Sequence, residues 1–132
     1  MSAVGDAADA APGRGALGPV LVGGMAGTAL RLAVAAVIPL PWATLAVNVA
    51  GALLLGVLVE RLAVRAPNRT RAWSLLGPGL CGALTTFSAL QLEAVELVRD
   101  GSAKSAVLYL AATLCLGLPA AAVGRRIGRM VA

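Results

Sequence analysis

Four long apolar runs dominate the hydropathy pattern of this chain. The runs are separated by short segments that contain proline, glycine or charged residues, and each run has roughly 19 to 26 residues. A helix of that length spans the ~30 Å hydrocarbon core of a bilayer. The pattern predicts four transmembrane helices, at about residues 17–38, 42–63, 73–98 and 105–123.

The segments outside these runs have a different character. Residues 1–16 are mainly Ala, Gly, Asp and Pro without hydrophobic periodicity, so we expect a disordered N-terminal tail. Residues 126–132 form a short basic segment that we expect to be a C-terminal tail. Between them, residues 17–125 constitute one four-helix membrane domain.

The composition supports a membrane protein whose helices pack closely. Apolar residues make up 59% of the chain and charged residues only 13%, whereas soluble domains have about 25% charged residues. The 16 glycines suit a helical bundle in lipid, because small residues let transmembrane backbones approach one another. The predicted class is therefore an all-α membrane protein.

The basic residues are distributed unequally between the two ends of the predicted bundle. The net charge of +5 does not indicate nucleic-acid binding, because the basic residues lie between apolar runs and lack interleaved aromatics. The positive-inside rule predicts a multi-pass protein of the cell membrane with both termini in the cytoplasm. Eight basic residues lie on the side of the termini: Arg14, Arg61, Arg65, Arg69, Arg71, Arg125, Arg126 and Arg129. Three lie on the opposite side: Arg31, Arg99 and Lys104.

Asn48 is the only amide side chain inside the second run. Polar groups at this depth are costly in lipid and need a partner. One interpretation is a hydrogen bond between helices. The other is a donor to a permeating ligand, since the NH₂ group offers two hydrogens to an anion.

The third run has the most unusual sequence. Three glycines and a proline within residues 77–82 precede a hydroxyl cluster at Thr85, Thr86 and Ser88. Irregular backbone at membrane depth is tolerated only inside protein or along a cavity. We therefore predict a broken helix whose free carbonyls suit a hard cation such as Na⁺. The hydroxyls and the edge of the Phe87 ring suit an anion. A kinked helix with a purely structural role is the alternative.

Other polar residues within or beside the runs permit two interpretations. Arg31 follows a glycine-rich stretch that should pack closely, and it either draws anions toward an entrance or extends to the headgroups. Most carboxylates near the end of a run reach the membrane interface, but Glu93 lies deep enough in the third run to interact with pore hydroxyls instead. For Thr113 in the fourth run, a hydrogen bond from its hydroxyl to the backbone of its own helix is a simpler explanation than a role in a pore.

Three segments together resemble the Fluc/CrcB family of fluoride channels. They are residues 23–31, with glycines before Arg31, residues 44–51 around Asn48, and residues 79–88 through Thr-Thr-Phe-Ser. The resemblance covers about residues 21–117, and the order and spacing of the segments make it specific.

The resemblance implies an antiparallel dual-topology dimer with two fluoride pores, rather than an enzyme. Its function would be passive efflux of fluoride, which lowers cytoplasmic fluoride. A structural, non-transported Na⁺ would lie at the dimer centre, bound by the backbone carbonyls of Gly82 and Thr85. The residues implied for the fluoride path are Arg31, Asn48, Thr86, Phe87, Ser88, Glu93, Tyr109 and Thr113.

Two departures from the family pattern bear on the kind of dimer. Leu90 replaces a second phenylalanine and Ala89 replaces a hydroxyl, so a pore formed by this third helix lacks one ring edge. A chain that inserts in both orientations should also have nearly balanced loops. We therefore hypothesise a fixed orientation and a heterodimer with an oppositely oriented paralogue, in preference to a homodimer.

Two other classes of membrane protein fit the sequence less well. A small drug/proton antiporter needs a membrane-embedded carboxylate in its first helix, and residues 17–38 contain none. A non-transporting assembly protein would leave Asn48 and the broken helix without a role. An enzyme is not expected, because the chain has no histidine and no nucleophile–base pair.

Overall fold

The computed structural model describes residues 14–131, and all regular structure in that range is helical. Helix α1 is Arg14–Val37, and α2 is Trp42–Leu58 continued by a π-helical turn at Val59–Val64. Helix α3 covers residues 70–84 in three parts. Thr70–Ser74 and Gly82–Leu84 are α-helical, and Leu75–Cys81 between them is π-helical. Helix α4 is Phe87–Arg99, and α5 is Ala103–Met130.

Four helical sections are long and apolar enough to cross a membrane. Most of their side chains are not buried within the chain, and only 11% of the first section is buried. Lipid must therefore solvate the remaining apolar surface. The predicted four-span, all-α membrane class is confirmed. The sections are Gly15–Val37, Trp42–Val64, Thr70–Arg99 and Ala103–Met130.

The helix ends differ from the predicted boundaries in three places. Helix α1 begins at Arg14, so residues 14–16 are helical, while residues 1–13 of the expected tail lie outside the described residues. The third span begins at Thr70, and α5 continues to Met130, through most of the expected basic tail. Packing of Gly128 against α2 explains this extension, because tertiary contact stabilises helix beyond the apolar run.

Close glycine contacts hold α2 against α5. A Cβ atom at Gly56 would collide with the carbonyl of Ala121, and one at Gly124 would collide with the carbonyl of Leu53. The two backbones therefore approach too closely for larger side chains, as in other small-residue interfaces in membranes.

Helix α1 packs against α3 through the same kind of close glycine contact. Cβ atoms at Gly23 and Gly27 would meet the carbonyls of Leu75 and Leu80 respectively. This confirms that the glycine-rich face of the first helix packs closely. Gly24 points elsewhere, into open space.

The third span is interrupted at Thr85 and Thr86, which we call the break. Both residues are extended, with φ −79° and ψ 151° at Thr85 and φ −147° and ψ 124° at Thr86. The predicted broken third helix is confirmed. The π-helical turn around Pro78 just before the break fits a residue that has no N–H to donate.

Candidate functional site

Asn48 on α2 pairs with the backbone of Thr86 at the break, where the Thr86 amide has lost its helical acceptor. Its Oδ1 accepts from the Thr86 amide at 2.8 Å, and its Nδ2 donates to the Thr86 carbonyl at 3.0 Å. Because the backbone partners can only donate and accept respectively, they determine the orientation of the amide. One of the two Nδ2 hydrogens is left for another acceptor.

The break also leaves two carbonyl groups without their usual donors. In a continuous α-helix, the Thr86 amide would bond to the Gly82 carbonyl and the Ala89 amide to the Thr85 carbonyl. Here the Thr86 amide donates to Asn48, and the Ala89 amide donates to Thr86 Oγ1 at 3.2 Å. The two carbonyls that the resemblance implies as Na⁺ ligands are thus released from the helix.

The side chains of the two threonines have separate roles at the break. Thr85 Oγ1 donates to the Cys81 carbonyl at 2.9 Å, and its methyl group occupies the space that a side chain at Gly51 would need. Thr86 is buried and caps the N-terminus of α4 through its bond with Ala89.

Phe87 and Ser88 lie on the outer surface of the single chain. The Phe87 side chain is 70% exposed, and the Ser88 hydroxyl lies 3.3 Å from Thr86 Oγ1. Both residues belong to the first turn of α4, where backbone N–H groups lack helical acceptors and attract negative charge.

A buried carboxyl group lies between three helices. Glu93 on α4 is 6% exposed, and its oxygens accept from Thr44 Oγ1 on α2 at 2.6 Å and from the Tyr109 hydroxyl on α5 at 2.5 Å. The structure brings the predicted residues Glu93 and Tyr109 together. We call this set of three side chains the Glu93 cluster.

Leu90 packs one turn before Glu93. It is buried with Ala94 and Tyr109, whereas Phe87 three residues earlier points outward. The replacement of a second phenylalanine by Leu90 therefore changes the interior wall beside the Glu93 cluster.

The structure places two predicted residues away from these contacts. Thr113 Oγ1 donates to the Tyr109 carbonyl at 2.9 Å, which is a bond within α5. Arg31 is half-buried on α1 and forms no ion pair with the described residues. The roles of both in a fluoride path stay predictions.

Two features of the interior were missed by the sequence reasoning. The first is Thr44, which lies four residues before Asn48 and therefore on the same face of α2. This spacing was the signal that Thr44 also faces the polar interior. Glu60 is 5% exposed and contacts arginines from two helices, a set that we call the Glu60 clamp. Its nitrogen–oxygen distances are 3.6 Å to Arg65, 3.7 Å to Arg125 and 3.3 Å to Arg129.

Comparison with known proteins places the chain in a family. The model of the family described as CrcB-like protein, Camphor Resistance (CrcB), matches residues 19–125. The chain belongs to the CrcB family. That match includes the break, Asn48 and the Glu93 cluster.

Relatives in this family bear names that refer to fluoride. The chain is 41% identical to fluoride-specific ion channel FluC 1 of Mycobacterium tuberculosis (strain CDC 1551 / Oshkosh) over 107 residues, covering 77% of this chain and 81% of the relative. It is 36% identical to fluoride-specific ion channel FluC of Xanthomonas euvesicatoria pv. vesicatoria, covering 83% and 86% respectively. For FluC of Erythrobacter litoralis, the identity is 37% and the coverage 86% and 91%.

Proposed function

We propose that this chain is a subunit of a fluoride-specific ion channel that allows passive efflux of fluoride from the cell. The observation that supports this most strongly is the break held by Asn48, at the positions where family membership implies a pore. It is a channel and not an enzyme, because the family consists of ion channels and the site presents hydrogen-bond donors rather than reacting groups.

Fluoride permeation requires donors that replace the water of hydration. The free Nδ2 hydrogen of Asn48, the Ser88 hydroxyl and the first-turn amides of α4 are neutral donors near the break. Neutral donors bind an anion weakly enough to release it, and several weak sites in succession favour rapid passage. The exposed ring edge of Phe87 adds a further positive surface.

The Glu93 cluster contributes to the same path in this proposal. Thr44 and Tyr109 each have one hydroxyl hydrogen, and each donates it to Glu93. In this proposal, a hydroxyl donates to fluoride in place of Glu93 as the ion passes. Glu93 thus orients two hydroxyls in a buried region between α2, α4 and α5. Thr113 extends the polar side of α5 by one turn beyond Tyr109.

A structural Na⁺ bound by Gly82 and Thr85 fits the release of their carbonyls. Carbonyl oxygens are suitable ligands for a hard cation. Two carbonyls form an incomplete shell, because hard cations such as Ca²⁺ take ~6 to 8 oxygens. A second subunit facing the break would double the number of carbonyls, which is the reason to place the ion at a dimer centre.

The surface beside Gly82 is suitable for that second subunit. A groove of about 760 Å³ runs between α1 and α3, and Gly82 lines it together with Gly24. We propose that an oppositely oriented subunit covers it. The asymmetric distribution of basic residues and Leu90 favour a paralogue over an identical copy.

Fluoride efflux from liposomes tests these proposals together. The purified chain is reconstituted into liposomes, either alone or with a paralogue of opposite charge bias. The liposomes are loaded with fluoride, and a fluoride electrode measures the fluoride that they release. We expect efflux of fluoride but not chloride from the mixture and little from the lone chain. Robust efflux from the lone chain would contradict the heterodimer, and none from either preparation would contradict the channel.

Removal of Na⁺ tests the cation proposal. Protein purified in N-methylglucamine should lose fluoride efflux, and Na⁺ should restore it better than K⁺. Radioactive ²²Na⁺ should not cross the membrane with fluoride. Full efflux in the absence of Na⁺ would overturn the structural ion and leave the fluoride channel itself intact.

A further inference from the structure

A cavity with three arginines lies at one end of the bundle, where α2 ends and α3 begins. It has a volume of about 400 Å³, and we call it the arginine pocket. Its polar lining is provided by Arg61, Arg65 and Arg69. Its remaining walls are apolar, formed by Val57, Leu58, Leu62, Ala66 and Leu76.

The positive charge of the arginine pocket is largely uncompensated within the described part of the chain. Glu60 is the nearest carboxyl group in sequence, but it is buried and already shared among Arg65, Arg125 and Arg129. Arg61 and Arg69 form no ion pair with the described residues. The pocket thus attracts an anion without an internal competitor.

The position of the pocket restricts what that anion is. The second span ends at Val64 and the third begins at Thr70, so the three arginines lie at the boundary between hydrocarbon and headgroups. The leucine and valine side chains continue from the arginines along α2 and α3 toward the hydrocarbon. A small ion in water would gain nothing from these walls, whereas a lipid uses both the charge and the apolar surface.

We infer that the arginine pocket binds an anionic phospholipid. The phosphate group lies among Arg61, Arg65 and Arg69, and an acyl chain lies along the walls formed by Leu58 and Leu62. Guanidinium groups bind phosphate oxygens through paired hydrogen bonds, which ammonium groups do not. Basic pockets between transmembrane helices are a recurrent form of headgroup recognition.

Charge-matched variants of the full-length protein test this inference. Arg61→Gln with Arg69→Gln removes the two arginines that the Glu60 clamp does not use. Arg71→Gln with Arg126→Gln is the control, because it removes the same charge from exposed positions that do not line this pocket. Lipid retention is measured by native mass spectrometry after exchange into phosphatidylglycerol or phosphatidylcholine.

The wild-type protein should retain phosphatidylglycerol about tenfold better than phosphatidylcholine, as expected for several arginines at a headgroup. The pocket variant should lose most of this preference, and the control should keep it within about twofold. Equal losses in both variants would overturn the site in favour of general surface charge, and an unchanged pocket variant would overturn it outright.

Inorganic phosphate distinguishes a lipid from a free anion. If millimolar phosphate displaces phosphatidylglycerol from the wild-type protein, the pocket binds phosphate without regard to the acyl chain, and the lipid assignment is wrong. Melting temperatures of both variants without added lipid show whether they fold. The measurement involves no fluoride flux, so its outcome is independent of the proposed channel function.

Discussion

At the scale of single residues, Asn48 and Glu93 satisfy groups that lipid would leave unpaired. Asn48 makes two bonds to the backbone of Thr86, and Glu93 accepts from two hydroxyls. Asn48 thereby joins α2 to the third span, and Glu93 joins α4 to α2 and α5, within the segments that cross the membrane. The positions that we propose for the fluoride path therefore also hold the helices together.

Replacing Asn48 should affect stability and flux together. Asn48→Ala leaves the Thr86 amide without a partner and removes one of the bonds to the Thr86 carbonyl, at a cost of about 1–3 kcal/mol. We expect a lower melting temperature in detergent, and loss of fluoride efflux from liposomes that contain this chain together with the paralogue. Asn68→Ala, in the exposed loop before α3, is the control and should change neither.

A variant that stays folded separates the two roles of Asn48. If size-exclusion chromatography shows an intact protein whose efflux is lost, Asn48 serves permeation. Normal efflux through folded Asn48→Ala protein would show that the residue serves only helix packing.

The hydroxyls of the Glu93 cluster should behave as a coupled pair. Thr44→Val and Tyr109→Phe each remove one donor to Glu93, and each should destabilise the protein by about 1 kcal/mol. Because both donors share one carboxyl group, the double variant should differ from the sum of the singles. Thermal unfolding of the four proteins measures the difference, and strict additivity would argue against a shared acceptor.

At the scale of helices, glycine positions determine which faces meet. Gly56 and Gly124 bring α2 and α5 together, while Gly23 and Gly27 bring α1 against α3. In lipid, such close approach replaces the hydrophobic effect as the force that holds helices together.

Two glycines on α5 provide a matched comparison. A side chain at Gly124 would collide with the backbone of α2, so Gly124→Ala should destabilise the protein by about 1–3 kcal/mol. Gly117 faces open space, and Gly117→Ala should be neutral or stabilise the helix by up to about 1 kcal/mol. Melting temperatures of both variants test this. Equal effects would contradict the close crossing.

The Glu60 clamp joins the end of α2 to the end of α5. Glu60→Gln removes the charge that faces three arginines, so the arginines repel one another and the helix ends should separate. We expect a lower melting temperature than for Glu96→Gln, an exposed carboxyl group on α4. A smaller effect at Glu60 than at Glu96 would show that the clamp does not stabilise the bundle.

At the scale of the whole molecule, charge distribution and surface shape are the two grounds for the proposed pairing of unequal subunits. The predicted topology puts eight basic residues on the side of the termini and three on the opposite side. The groove beside Gly82 lies open on the single chain. In the proposed assembly, a subunit of the opposite orientation covers this groove.

The orientation of the lone chain is directly measurable. A C-terminal green fluorescent protein should fluoresce and a C-terminal alkaline phosphatase should be inactive, because the positive-inside rule places this end in the cytoplasm. Arg71→Gln with Arg126→Gln reduces the asymmetry and should increase phosphatase activity. Strong signals from both reporters on the unaltered chain would indicate dual topology and contradict a fixed orientation.

The sequence by itself determined the four spans and the location of the break. Run length is a local property that the bilayer thickness imposes on each helix separately, and glycine with proline before Thr85 and Thr86 weakens the third helix locally. Both of these conclusions depend on residues that are close together in the chain. The family resemblance, which depends on the order of three separate segments, also points to Asn48, Glu93 and Tyr109.

Only the tertiary structure decided how these residues meet. Asn48 and Thr86 are 38 positions apart, and Thr44 and Glu93 are 49 apart, so their bonds depend on how α2 packs against the third span. The extension of α5 to Met130 and the burial of Glu60 arise from the same helix packing, which hydropathy along the chain does not encode. Packing between helices therefore brings polar residues that are distant in the sequence together into one site.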